Sequence, residues 1–240
     1  MLKNICFIFL SITLNLFAYI NIYPVSFDKS IDGNGNAQEF ILYNKTNKSI
    51  RYNISLSDDR FKKSSMKNWI EFYPKNVTIK PGKSEKIKMY IKSPKNTEKG
   101  EYLSTLEIKE LLVPQLDSSP SKGSGVTLLT HLKMDIVGYV GDLKPIYHIN
   151  GFSYSMINNN LSIKGTIKNS GDRRGKVALI LSSGKNKESY TIGKLKVNKN
   201  EIIDLSILSH ELQEMKLPKK ITKLFLKDED SNNILLELSL

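Results

Sequence analysis

Few side chains in this sequence have the types and spacing that covalent or metal chemistry requires. The three histidines, His131, His148 and His210, lie far apart along the chain and do not form the paired spacing of a zinc site. Asp135 would share a strand face with His131, but Lys133 lies between them and its positive charge would oppose a bound cation. The sequence also lacks a Gly-x-Ser-x-Gly elbow and a phosphate-binding loop. We therefore predict no catalytic residue, no metal site and no cofactor, and we expect that the protein is not an enzyme.

The clearest candidate for a binding site is an alternating pattern between positions 126 and 136. Every second residue there is apolar except a threonine, so one row of side chains shares a face: Val126, Leu128, Thr130, Leu132, Met134 and Ile136. The intervening positions are mostly polar, which is typical of a half-buried strand. We predict a strand over 125–139, much longer than the usual length of about 5–6 residues, after the Ser-, Pro- and Gly-rich segment 119–125. The row is either the core of a closed sandwich or a set of side chains that binds a partner.

The composition gives the chain a basic surface. The 240 residues carry a formal net charge of +12, and the lysines are scattered among asparagines and serines. This charge indicates either an ordinary polar surface or a preference for acidic partners. We expect no nucleic-acid partner, because no aromatic–basic motif accompanies the lysines. The single cysteine, Cys6, lies near the N-terminus, so the mature chain would contain no disulfide.

The first 18 residues are typical of a secretory signal peptide. A short, weakly basic start is followed by the apolar segment 5–18, which ends on Ala18, a suitable last residue before cleavage. Leu16 departs from the pattern, since a small residue is preferred at its position. The alternative is an uncleaved membrane anchor, although the segment is shorter than the ~20 apolar residues that a span needs. We predict cleavage and export to the periplasm.

Beyond this segment, the chain is predicted to consist of short strands separated by turns. The strands between residues 19 and 139 fit one β-sandwich, and the pattern restarts after the segment 141–145. Only 209–215 has the pattern of a short helical turn. We predict an all-β fold of two immunoglobulin-like sandwiches, the first over 19–142 and the second over 146–240, with a terminal hairpin.

Four stretches of the first domain follow one another in a recognisable order. They are VSFDKS (25–30), FILYNKTNKSIRYNISL (40–56), IEFYPKNVTIKPGKSEKIKM (70–89) and GEYLSTLEIKELLVP (100–114). In the second stretch an asparagine follows an apolar run and precedes a short polar turn. They are followed by the Ser-, Pro- and Gly-rich loop and the long strand. In this order the stretches resemble the periplasmic pilus-assembly chaperones of the chaperone–usher pathway.

This resemblance implies two immunoglobulin-like domains arranged around a cleft. In the family, the alternating residues of the first domain's last strand are donated to an incomplete pilin subunit that lacks one strand of its sheet. The corresponding subunit-binding residues here would be Val126, Leu128, Thr130, Leu132 and Met134. The implied partners are a pilin or fimbrial subunit and an outer-membrane usher, with no small-molecule substrate.

The resemblance also implies two basic residues that hold the terminal carboxylate of the subunit. Lys133 matches one of them in position and parity, with an ordinary outward-facing lysine as the alternative. The second falls on Ile31 in this chain, and Lys29 is the basic residue close to it. Lys144 takes the place of an arginine in the family's Arg-Pro pair, with Glu101 as its expected interdomain partner. The alternative for Glu101 is a solvated surface carboxylate.

These observations predict a periplasmic chaperone, or chaperone-like protein, that stabilises pilus subunits by donating a β-strand and delivers them for assembly. The alternative is an exported structural or adhesive protein whose two immunoglobulin-like domains bind surface proteins or polymers. The two hypotheses differ in the exposure of the row over 126–134. A chaperone would leave part of the row exposed beside an open sheet edge, whereas a structural module would bury all of it.

Overall fold

Strands make up nearly all of the regular structure in this protein. The computed structural model describes residues 20–112, 129–157, 160–183, 188–211, 221–229 and 231–240. Within these ranges the only helices are short 3₁₀ helices, at Lys62–Ser64, Lys67–Trp69 and Leu205–Leu208. The predicted all-β class is confirmed.

Contacts between residues divide the chain into two compact units. The first comprises Met1–Pro94 and Tyr102–Gly138, and the second comprises Lys95–Glu101 and Tyr139–Leu240. The predicted joint at 141–145 therefore falls just inside the second unit. Lys95–Glu101, which immediately precede Tyr102, belong to the second unit. No sequence pattern predicts this assignment.

The first unit is a sandwich of two sheets. Its strands are β1 (Ile20–Tyr23), β2 (Phe27–Ser30), β3 (Asn36–Asn44), β4 (Ile50–Ser57), β5 (Ile70–Tyr73), β6 (Asn76–Ile79), β7 (Ser84–Ile91), β8 (Gly100–Leu111) and β9 (His131–Val140). One sheet has the order β1-β3-β7-β5 and the other has the order β2-β9-β8-β4-β6. The opening segment is divided between the sheets at Pro24, since β1 lies beside β3 and β2 lies beside β9. This strand arrangement is immunoglobulin-like.

Alternating apolar residues explain why the two sheets pack together. On β3, Phe40 and Leu42 are buried while their neighbours are exposed, and β7 repeats the pattern. Successive residues of a strand point to opposite faces, so each row covers one face of its sheet. The rows from both sheets form the core, whose fully buried side chains include Tyr52, Ile54, Ile87, Ile91 and Leu106.

The second unit is also a sandwich of two sheets. Its strands are β10 (Tyr147–Ile157), β11 (Asn160–Asn169), β12 (Gly175–Ser182), β13 (Ser189–Val197), β14 (Ile202–Asp204), β15 (His210–Glu211), β16 (Lys223–Asp228) and β17 (Ile234–Ser239). One sheet has the order β10-β11-β14, with β15 also paired to β11, and the other has the order β13-β12-β16-β17. This arrangement is again immunoglobulin-like, and its core includes Val177, Leu179, Leu181 and Leu226.

Two elements of the second unit differ from what its sequence predicts. The helical turn predicted over 209–215 is wrong at His210 and Glu211, which form β15 because their backbone pairs with β11; the end of that range lies outside the described residues. The strand β10 is not recognised from its sequence, because it lacks a clean alternation. Its pairing with β11 shifts register between Asn150 and Ser153. The predicted terminal hairpin is confirmed, since β16 pairs antiparallel with β17.

A buried asparagine at the end of β3 connects the turns at one end of the first unit. The side-chain nitrogen of Asn44 donates to the carbonyl oxygens of Lys48 (2.7 Å) and Ile79 (2.9 Å). Its side-chain oxygen accepts from the backbone N–H and the hydroxyl of Thr46. Because Asn44 is fully buried, these bonds satisfy polar groups that water does not reach. The amide thereby joins the β3–β4 turn to the last residue of β6.

Asn169 occupies the equivalent position at the end of β11 in the second unit. Its side-chain nitrogen donates to the carbonyl oxygens of Arg173 (2.8 Å) and Val197 (3.2 Å). Its side-chain oxygen accepts from the backbone N–H groups of Gly171 (3.0 Å) and Ile146 (3.1 Å). In both units the amide bonds to residues two and four positions further on and to the last residue of another strand. The same hydrogen-bonding device therefore closes one end of each sandwich.

Replacing Asn44 with alanine is expected to lower the free energy of unfolding by about 1–3 kcal/mol, because it leaves buried backbone carbonyls without a donor. Equilibrium unfolding in urea measures the change. Asn47→Ala is the matched control, since Asn47 is an exposed asparagine of the same turn. Equal small effects of the two substitutions would contradict the role assigned to the Asn44 amide.

Candidate functional site

The strand β9 lies in its sheet between a long neighbour and a short one. On the side of β8, the Glu110 N–H donates to the Thr130 carbonyl oxygen (2.8 Å), and the Glu110 carboxylate accepts from the Thr130 N–H (3.0 Å). Contact with β8 therefore extends to the residue that precedes β9. On the other side lies β2, which has 4 residues against the 10 of β9. The short strand is unable to cover that whole edge.

The position of Gly138 shows which part of β9 is covered by β2. A Cβ atom on Gly138 would lie 2.7 Å from Cδ1 of Ile31 and 2.9 Å from Sδ of Met66. The residue that follows β2 therefore packs directly on Gly138. At about 3.3 Å per residue, a strand of 4 residues next to Gly138 covers only about four positions of β9 in either direction. We infer that, within the described ranges, β2 does not reach residues 131–133 on this edge, so their outward-facing backbone groups are open to pairing.

The predicted row of side chains becomes more buried along β9. Thr130 and Leu132 are half-buried, whereas Met134 is 7% exposed and Ile136 is fully buried. Val126 and Leu128, which would begin the row, lie outside the described residues. The described part of the row is therefore half-buried at its start and belongs to the core of the first unit at its end.

The opposite face at the start of β9 carries a small charged cluster. Glu107 on β8 lies between two β9 side chains, with Oε1 3.1 Å from Lys133 Nζ and Oε2 3.2 Å from His131 Nε2. The hydrogen bond from Lys133 is the main reason that the pKa of Glu107 lies below its usual 4.5, and the bond to His131 acts in the same direction. Lys133 still exposes 52% of its side chain. Its ammonium is therefore partly accessible to a second carboxylate.

Lys29, the other predicted carboxylate-binding residue, is held by its own part of the first unit. Its Nζ donates to the carbonyl oxygen of Ala37 (3.2 Å) and lies 5.6 Å from the centre of the Phe27 ring. Ile31 is fully buried, so a core residue occupies the position at which the family is expected to have its second basic residue. The role of Lys29 as an anchor stays a prediction.

Glu101 and Lys144, predicted to pair across the domain joint, have different partners within the second unit. The Glu101 carboxylate accepts from the backbone N–H of Arg174 (2.6 Å) and lies 3.5 Å from its Nε. Lys144 instead forms an ion pair with Asp142 (3.1 Å). The Glu101 side chain is only 13% exposed, so it is not a solvated surface carboxylate.

Three residues of this region, Glu107, Glu110 and Gly138, are not identified by sequence reasoning. Glu107 and Glu110 contact residues at the start of the neighbouring strand. The local sequence does not determine which residues of two paired strands lie opposite one another. A glycine within a predicted strand is a weak signal for close packing, and it is the sequence feature from which Gly138 could have been found. In the described ranges, no group of three or more His, Cys, Asp and Glu side chains is placed to hold a metal ion. No helix in those ranges is long and apolar enough to cross a membrane.

Comparison with known proteins finds matches among solved structures. No family model matches the sequence, and no curated protein matches it. The matching structures include the YadV chaperone, with 13% identity, 92% of this chain and 100% of that chain covered, and a TM-score of 0.45. The class 5 fimbriae chaperone CfaA has 14% identity, 88% and 92% coverage, and a TM-score of 0.42. The CsuC–CsuE chaperone–tip adhesion subunit complex from the archaic chaperone–usher Csu pili of Acinetobacter baumannii has 19% identity, 78% and 89% coverage, and a TM-score of 0.42.

Gly138→Ala is expected to lower the free energy of unfolding by about 1–3 kcal/mol, because the new methyl group overlaps two fully buried side chains. Ile31→Val removes Cδ1, the atom nearest to that methyl group, so G138A should cost less in the I31V background than in the wild-type protein. Urea unfolding of the four proteins in this double-mutant cycle measures the difference. The same cost in both backgrounds would show that Ile31 does not pack on Gly138.

Glu107→Gln is expected to destabilise the protein by about 0.5–1 kcal/mol near neutral pH, as for a partly exposed ion pair. The pKa of Glu107 is lowered in the folded state, so its stabilising effect is present above pH 4.5 and is lost as the pH falls through the lower folded-state value. Urea unfolding of both proteins between neutral and acidic pH tests this. The effect should also shrink in a Lys133→Met background. A difference in unfolding free energy that is constant with pH would be evidence against the ion pair.

Proposed function

We propose that this protein is a periplasmic chaperone that binds incomplete pilus subunits by donating β9 as an extra strand. The single observation that carries the proposal is the short strand β2 beside the long strand β9, from which we infer an open edge beside residues 131–133. This edge lies next to a row of side chains that is only half-buried at Thr130 and Leu132. A strand added at such an edge forms backbone hydrogen bonds and places alternate side chains in the pockets of its partner. The proposed activity needs no catalytic residue and no cofactor.

The proposed client is an immunoglobulin-like subunit that lacks one strand. Such a subunit exposes a groove and a row of unpaired backbone groups, which promote aggregation. Val126, Leu128, Leu132 and Met134 would supply the side chains that fill the groove. Fully burying one aliphatic side chain contributes about 1.5–3 kcal/mol, and the cost of ordering the partners reduces the net gain. The contribution of Met134 would be smallest, since its own sandwich already buries it.

The exposed ammonium of Lys133 is the proposed binding group for the terminal carboxylate of the client, with Lys29 as a second basic residue. Glu107 already neutralises part of the Lys133 charge at 3.1 Å. A client carboxylate would therefore bind to a lysine that is held in place rather than to a freely rotating side chain. Residues 1–18 are the proposed signal peptide, and an outer-membrane usher is the proposed second partner.

The alternative function is an exported structural or adhesive module. The observation that favours it is the deep burial of Met134 and Ile136, which belong to the core of the first unit. A closed sandwich uses such residues only for packing. The two functions are separated by whether the beginning of the row is required for binding an incomplete subunit.

Replacing both Leu128 and Leu132 with aspartate is expected to abolish the capture of an exported candidate pilin, because charged side chains do not enter an apolar groove. The measurement is a pull-down after co-expression, with the fold of each variant checked by circular dichroism and urea unfolding. Leu129→Asp is the matched control, since Leu129 has the opposite parity and is already 45% exposed. It should leave capture unchanged.

If the double variant does not fold, Leu128→Asp alone is the second variant, and it should reduce capture at least tenfold. Unchanged capture by a folded L128D/L132D protein would rule out strand donation. Equal loss in L129D would show that capture depends on the general polarity of the strand rather than on the row.

A further inference from the structure

A histidine shares the face of Lys133 at the beginning of β9. His131 and Lys133 are two residues apart on the strand, so their side chains point to the same side of the sheet. Both contact the Glu107 carboxylate, His131 through Nε2 at 3.2 Å and Lys133 through Nζ at 3.1 Å. Their side chains are 40% and 52% exposed. One carboxylate therefore holds two basic groups beside each other, and both remain accessible to a further anion.

The contact with Glu107 determines which ring nitrogen of His131 carries the proton. The pKa of Glu107 is lowered from 4.5, mainly by the hydrogen bond from Lys133, so near neutral pH its ionised carboxylate only accepts hydrogen bonds. Nε2 of His131 therefore donates to Glu107. In the neutral ring Nδ1 carries no proton, and it makes no hydrogen bond within the described ranges. Protonation thus adds a positive charge and a new donor at Nδ1.

The other charged groups near His131 come from its own strand and from the strands beside it. Asp135, on the same face of β9, is bound by Arg60, and β8 carries Lys109 two residues from Glu107. The remaining charged side chains on the described neighbouring strands are Arg51 on β4 and Asp28 and Lys29 on β2. Histidine is the only residue type among them with an ordinary pKa between pH 5 and 8. A change of charge in that range therefore falls on His131.

The charge of His131 decides how strongly this face attracts a carboxylate. When the ring is neutral, Glu107 balances the charge of Lys133, and the pair offers little net attraction. When the ring is protonated, two cations share one anion, and an incoming carboxylate meets a net positive charge. A single carboxylate has two oxygens, so it can accept from Lys133 Nζ and from His131 Nδ1 together. One added charge suits one carboxylate.

We propose that His131 is a further basic group of the carboxylate site at Lys133, and that its protonation strengthens the binding of the client's terminal carboxylate in mildly acidic conditions. This inference rests on the proposed function, since it concerns a client strand bound at the edge beside residues 131–133. Lys29 is held by the carbonyl oxygen of Ala37. His131 already contacts the same carboxylate as Lys133, so it needs no rearrangement to act with that lysine.

The test measures the capture of an exported candidate pilin by the full chain, in a pull-down with increasing pilin concentration at about pH 5.5 and about pH 7.5. The wild type should bind about two- to fivefold more tightly at the lower pH, as for one added exposed ion pair. The terminal carboxylate of the pilin stays ionised at both values, because its ordinary pKa is about 3.3–3.7. His131→Gln should remove the difference. His131→Lys keeps its charge throughout this range and should bind tightly at both values.

His148→Gln is the matched control, since His148 is an exposed histidine of the second unit. It should retain the full pH effect. A second control adds two glycines to the C-terminus of the pilin, which moves its carboxylate away from His131 and should abolish the pH effect. Circular dichroism and urea unfolding at both pH values confirm that each variant is folded.

Equal capture by the wild type at the two pH values would overturn this inference and leave strand donation intact. A pH effect that persists in H131Q would also overturn it, because another group would then carry the change of charge. A pilin that is not captured at either pH would instead contradict the proposed function, and the inference would fail with it.

Discussion

Both sandwiches depend on hydrogen bonds between a buried asparagine side chain and backbone groups, formed by Asn44 at the end of β3 and by Asn169 at the end of β11. At each of these points the chain leaves the sheet, and its carbonyl groups lose their strand partners. The side-chain amides of Asn44 and Asn169 donate to carbonyl groups in the adjoining turn and at the last residue of another strand, so these carbonyl groups have a donor inside the fold. In the first unit this fixes the end of β6. Since β6 pairs with β4 and β4 with β8, the constraint extends through the sheet to β9.

The long strand β9 combines two roles that are usually separate in a sheet. Its later residues are core residues, with Gly138 packed beneath Ile31 and Met66. Its first residues have only one neighbouring strand among the described ranges, and they carry Lys133 and His131 on one face. Charged side chains at an open edge discourage unspecific pairing. The same strand is therefore part of the core at one end and carries charged side chains at the other.

The sequence predicts the strands well where alternation is regular, as in β3 and β7, because the period of two is a local property. The strand predicted over 125–139 begins only at His131 in the structure, and residues 125–128 lie outside the described ranges. The sequence misses β10, where a register shift interrupts the alternation, and β15, where pairing with β11 overrides a weak helical pattern. The candidate site is only partly predictable. The row on β9 follows from the sequence, but the Glu107–Lys133 and Glu101–Arg174 contacts depend on how distant segments pair, and no local pattern encodes that.

The contact between Glu110 and Thr130 has a consequence for the timing of any association at β9. Two hydrogen bonds, one from the Glu110 N–H to the Thr130 carbonyl oxygen and one from the Thr130 N–H to the Glu110 carboxylate, hold the residue before β9 against β8. Fixing the backbone of one residue costs about 1–2 kcal/mol of free energy through lost conformational entropy. For the first residues of β9 this loss occurs when the protein folds. The backbone at the start of β9 is therefore ordered before any partner arrives, and only the partner's own chain would lose conformational entropy there.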